Sequence, residues 1–214
     1  MNWRTARVLA GLVADLRPVR RLRAPGWRAA GWLAAAMAVV DIAVVWSGLR
    51  PDIGARLALP HEVGQWLASV AMGALAAIAA FLVALPDRSP RWALLPLPAL
   101  AVWVSMLVWG CSEDLARMGS RAMAPGNGWA CLGFIAGLGL PLLGSMLLVL
   151  RHAAPIRPVL VALLSGFAAA ALCSGGESLL HDLDASFAVL LWHGGTILLV
   201  TAIGGVFGLA IRGA

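Results

Sequence analysis

Six mostly apolar stretches run through the chain, at residues 27–48, 62–85, 91–110, 129–150, 157–174 and 186–211. A helix needs about 20 such residues to cross a bilayer, and each stretch is near or above that length. The breaks between them are Arg50-Pro51-Asp52, the run from Pro86 to Arg91, residues 111–128, Arg151 to Arg157, and Gly175 to Asp184. All are rich in proline, glycine or charge, as turns between helices are. In residues 1–26, Val8, Leu9, Leu12, Val13 and Leu16 recur at helical spacing, which predicts an amphipathic helix over 3–16 that Pro18 must end. The expected fold is an all-α membrane protein. It comprises a bundle of six transmembrane helices over 27–211 and a short cytoplasmic N-terminal segment over 1–26.

Composition agrees: 61% of residues are hydrophobic, only 12% are charged, and mean hydropathy is +0.89. A water-facing domain carries roughly 25% charged residues, so a soluble globule is excluded. The net charge of +6 and pI of 11.2 would suggest nucleic-acid binding in a soluble chain. Here the arginines flank the spans, so the lipid bilayer is their partner and no direct contact with nucleic acid is expected. All sixteen basic residues are arginine, which points to a GC-rich coding bias and a bacterial inner membrane. Twelve of the sixteen fall in the tail, the 86–91 and 151–157 loops and the C-terminus. The positive-inside rule therefore places both termini in the cytoplasm. The first apolar run is too long for a cleavable signal peptide and contains Asp41.

Gly133 and Gly137 in the fourth span, and Gly204 and Gly208 in the sixth, have the small-xxx-small spacing that lets helix backbones approach. Packing within one chain is expected to use them, and Pro141 is expected to kink the fourth span. Trp27, Trp46, Trp66, Trp92, Trp109 and Trp129 lie near span ends, where amphipathic rings anchor.

The candidate chemistry gathers at the outer side. Cys111, Cys131 and Cys173 all fall there under this topology. Cys111 and Cys131 bracket one loop and could pair; equally, all three could be small packing residues. Glu177, His181, Asp182 and Asp184 share that side and, with the thiols, could bind a soft divalent metal, although an ordinary solvated acidic loop has the same composition. Within the membrane, Asp41 and His193 lie at matched depth from the outer end, about 10 Å at 1.5 Å per residue. They would form an intramembrane polar pair if their helices touch. No Cys-x-x-Cys occurs, and no cofactor is expected.

The chain resembles the NrsF-type membrane anti-sigma factors along nearly its whole length. The resemblance rests on Ala14-Asp15-Leu16-Arg17-Pro18-Val19 in the tail and on Arg91-Trp92 with Leu95-Pro96 and Pro98. Trp109-Gly110-Cys111, Trp129-Ala130-Cys131-Leu132, Leu140-Pro141, Ala154-Pro155-Ile156-Arg157-Pro158 and Leu191-Trp192-His193 continue it. It implies that the tail, through Leu9, Leu12, Val13, Asp15, Leu16 and Pro18, holds an extracytoplasmic-function sigma factor at the membrane. It also implies that outer-face cysteines sense oxidant or metal stress and trigger release. Relatives are expected to carry a cysteine after the last outer-loop histidine, where Asp182 follows His181 here. The sensing pair is therefore either Cys111–Cys131 or Cys131–Cys173.

A regulator without turnover is thus the leading reading. A small transporter with Asp41 and His193 as proton relay competes with it, without an inverted repeat to support it. A membrane thiol-redox protein competes too, without the Cys-x-x-Cys it would need. Topology is directly testable: a reporter active only outside the cytoplasm should work when fused after residue 56 or 120. It should be silent after residue 89 or 154, and the reverse pattern would overturn the outer placement of the cysteines.

Overall fold

The computed structural model describes residues 3–14, 23–153, 155–180 and 185–213, and among these it is mostly helical, with no strand. Helix α1 spans Trp3–Ala14, α2 Pro25–Ser47, the single turn α3 Ile53–Arg56, and α4 Pro60–Val83. Then come α5 at Leu97–Met118, α6 at Trp129–Leu150, α7 at Pro158–Glu177, the single turn α8 at Ser186–Val189, and α9 at Gly195–Gly213. Six of these segments are long and apolar enough to cross a membrane, α8 and α9 joining into one span. The protein is a multi-pass membrane bundle with a separate N-terminal helix.

Local sequence explains the boundaries. Pro25, Pro60 and Pro158 occupy first helical positions, where a missing N–H costs nothing. Gly48 and Gly119 end α2 and α5 at φ of 84° and 62°, a backbone that side chains resist. The third span was expected to stop at residue 110, yet α5 continues to Met118. Ser112, Glu113 and Asp114 are polar but do not break a helix, and the first residue that does is Gly119. Pro141 stands inside α6 without ending it.

The core is built around α7. Ala168, Ala169, Ala170 and Ala171 are all fully buried. Four consecutive helical residues point to all sides, so α7 is enclosed all round. It packs against α9, α4, α6 and α2. Small residues permit this: a Cβ on Gly204 would lie 2.5 Å from the Ala162 carbonyl oxygen, and one on Gly208 2.6 Å from the Val159 Cα. From the other side, a Cβ on Gly166 would lie 2.7 Å from the Val200 carbonyl oxygen. The α7–α9 contact is thus backbone against backbone, in which van der Waals packing replaces the hydrophobic force that lipid abolishes. Gly133 and Gly137 behave differently from the expectation: both face open space, with nothing within 4 Å of an added Cβ. They do not pack within this chain.

That contrast sets a test. Gly204→Leu should lower bundle stability by about 1–3 kcal/mol or more, because its methylenes have nowhere to go. Gly137→Leu should stay within about 0.5 kcal/mol. Unfolding in mixed detergent, followed by helical circular dichroism, measures both.

Candidate functional site

Two places carry polar chemistry: the end of the bundle where α2, α5 and α7 finish, and the isolated helix α1.

At the first, a belt of ion pairs ties the connections down. Arg50 pairs with Asp52 through Nε and Nη2, and Arg56 Nη1 donates to Glu62 Oε1 at 2.7 Å. The Arg50 backbone N–H donates to the Leu179 carbonyl, fastening this loop to the end of α7. The hydrogen bond from Arg50 holds the Asp52 carboxyl below the usual carboxylate range. Its contribution to stability is therefore complete above the ordinary value and is lost only as pH falls through the lowered one. His61, 2% exposed at the start of α4, places Nδ1 3.4 Å from Glu113 Oε2, with the Trp109 ring 6.0 Å away.

Asp114 is the most consequential residue of the belt. It is buried, and its Oδ2 accepts from the Ser186 backbone N–H at 2.8 Å and from Ser186 Oγ at 2.9 Å. Its Oδ1 accepts from Arg117 at 2.6 Å. A carboxylate from α5 thereby caps the start of the sixth span, where free N–H groups and the helix dipole favour negative charge. Gly110 makes room, since a Cβ there would collide with Ser186 Oγ. The residues 111–128 read as a loop, so Asp114 was missed. The signal was present: Trp103, Leu107, Gly110 and Asp114 are the buried face of α5, spaced by four, three and four.

Beside the belt lies a cavity of about 680 Å³, bounded by Ser47, Arg121, Asn127, Cys131, Phe134 and Glu177. Cys131 is buried at the start of α6, and Glu177, 3% exposed on α7, lines the same cavity. Cys173 is fully buried one turn before Glu177. Positions four apart on a helix stand about 5–6 Å apart at Cβ, so Glu177 and Cys173 are neighbours on one face of α7. Ser174, next along α7, lies 2.9 Å through Oγ from His193 Nδ1. His193 sits in a π-helical turn, Leu190–Gly194, between α8 and α9. Cys111 is half-buried on α5, and all three cysteines are free thiols. Although consecutive, α5 and α6 are not a packed pair: α5 lies on α4 and α8, while α6 lies on α7 and α9.

The expected Asp41–His193 pair is not formed. Asp41 is exposed on α2 beside Ile42, Val45 and Trp46, whereas His193 is fully buried against Ser174. Depth was matched, but both helices pack on α7 rather than on each other. His181, Asp182 and Asp184 lie outside the described residues, and among those described no group of three or more metal-binding side chains occurs.

Helix α1 presents the opposite situation. Val8, Leu9, Leu12 and Val13 are 46–63% exposed, with Trp3 equally bare and Arg7 over its ring at 4.8 Å. Apolar contacts normally stabilise so short a helix, since twelve residues alone are marginal in water. Asp15, Leu16 and Pro18 lie outside the described residues.

Against known proteins, no curated protein and no solved structure matches the chain. One family model, described as negative regulator of sigma F (NrsF), matches residues 12–211.

Proposed function

The chain belongs to the NrsF family of negative regulators of sigma F, and from that premise we propose that it is a membrane anti-sigma factor of the extracytoplasmic-function type. Its N-terminal segment holds the sigma factor at the inner membrane, and oxidant or metal acting on thiols at the far end of the bundle releases it. The protein acts by binding, without catalytic turnover. The observation that carries this reading is α1, a helix whose apolar stripe has no covering surface among the described residues. A sigma-factor groove supplies one, in the mode by which amphipathic helices dock. Leu9, Leu12 and Val13 are the anchors, continued along the sequence by Asp15, Leu16 and Pro18.

The thiol end has a physical route to the tail. Cys173 and Glu177 belong to α7, and Gly176 between them abuts Val40 and Val44 of α2. A shift of α7 at that level therefore moves α2, whose other end leads to α1. Of the two cysteine pairs, Cys131–Cys173 is better supported, because α6 and α7 pack together whereas α5 and α6 are not a packed pair. Joining them would close a loop worth about 3–5 kcal/mol in the chain-entropy model. Tenfold release requires about 1.4 kcal/mol of difference in affinity between the two packings. The transporter reading loses its relay, since Asp41 and His193 are apart.

Placing Glu at both Leu9 and Leu12 tests the tail. Each leucine buried at an interface contributes about 1.5–3 kcal/mol, so losing both should cut affinity about 100-fold or more. Sigma-dependent promoter activity should then be high without stress while the variant still inserts, as membrane fractionation would show. Unchanged repression would return α1 to a lipid-surface role.

Cys131→Ser tests the sensor. Repression should persist in unstressed cells, and induction by diamide or cadmium should fall at least tenfold. Cys111→Ser should retain induction. A normal response from the Cys111, Cys131 and Cys173 triple serine variant would make all three packing residues.

A further inference from the structure

At the other end of the bundle, a second cavity of about 500 Å³ opens between α2 and α6. Its floor on α2 is Trp27, Gly31, Ala35 and Val39, a stripe spaced by four, and its α6 wall is Leu142 and Val149. The polar side-chain groups of Trp32 and Ser145 in the lining are already bonded within the protein: Trp32 Nε1 donates to Ser145 Oγ at 3.0 Å, and Ser145 donates to the Leu142 carbonyl at 2.7 Å. Carbon is what remains to line it.

Arg23 and Arg28 stand at the mouth. Arg28 is fixed there, donating through Nη2 to the Val149 carbonyl at 2.8 Å with its guanidinium 5.4 Å from the Phe81 ring. That leaves other guanidinium N–H groups for a ligand, and Arg23 is exposed beside it. From Trp27 to Val39 the groove runs about 18 Å at 1.5 Å per residue. One leaflet of bilayer hydrocarbon is about 15 Å deep. Length, apolar walls and paired cations at one end thus match a single lipid molecule, and the charge selects an anionic one.

We propose that the α2–α6 groove is a binding site for one anionic phospholipid, its acyl chain along the Gly31–Ala35–Val39 stripe and its phosphate between Arg23 and Arg28. The site is independent of the sigma-factor reading, since it needs only a bilayer. It adds lipid composition to the inputs that reach α2.

The test uses the full chain in detergent, incubated with phosphatidylglycerol or phosphatidylcholine of identical acyl chains and analysed by native mass spectrometry. Phosphatidylglycerol should be retained at least tenfold better. Arg23→Gln with Arg28→Gln should bring that preference close to unity, and Arg23→Gln alone should reduce it severalfold with the melting temperature unchanged. Gly31→Leu projects into the groove without a clash at its Cβ, since nothing lies within 4 Å of one built there. It should reduce retention of both lipids at least fivefold. Arg88→Gln, a charge change away from the groove, should alter nothing. Equal retention of the two lipids by the unaltered protein would overturn the proposal. So would a preference that survives the double variant, retention unaffected by Gly31→Leu, or displacement by glycerol phosphate lacking acyl chains.

Discussion

The architecture depends on how little side chain α7 carries. Between Gly166 and Gly176, bulk is withheld where neighbours arrive, and four consecutive alanines are sealed from every direction. In water such a helix would gain little from burial, since alanine has little surface to hide. In lipid there is no hydrophobic gain to be had for any residue, and closeness itself is the reward. Removing side chains brings peptide dipoles and carbonyl edges within van der Waals range, and α4, α6 and α9 gather on the same axis.

That logic explains which parts of the fold the sequence reveals. Span number, the Gly204–Gly208 contact and the helical tail were all legible. The first follows from run length, the second from small-residue spacing, and the third from a polar–apolar contrast. Rotation of a span about its own axis was not. In α2 the buried face is Ala29, Trp32, Ala36, Val40 and Val44, while the exposed face carries Val39, Ile42, Val45 and Trp46. Both faces are apolar, so hydropathy cannot say which way Asp41 points. Gly133 and Gly137 failed for a related reason: spacing identifies a smooth face, but not whether anything lies on it. Asp114 was hidden by treating polarity as the end of a helix, whereas only backbone geometry at Gly119 ends it.

The two ends of the bundle are built to different standards. One is cross-braced by the Arg56–Glu62 pair, the Arg50 N–H on the Leu179 carbonyl and the Asp114–Ser186 cap, each linking separate elements. These links hold the cavity beside Cys131 and Glu177 in place. The other end is lightly fastened, with Arg28 on Val149 and Arg157 on the Arg88 carbonyl.

The central position of α7 also has a bearing on biogenesis. It is the fifth span to be made, so α2 and α4 enter the bilayer before the helix they are shaped to meet exists. Their smooth faces tolerate the wait, because Ala76, Ala77 and Ala80 of α4 are as acceptable to lipid tails as to protein. The bundle closes only once the chain beyond residue 158 arrives. By then α1 has long since left the ribosome, so its apolar stripe is available throughout synthesis. On the function proposed above, a nascent regulator takes hold of its partner before its bundle is able to respond to anything.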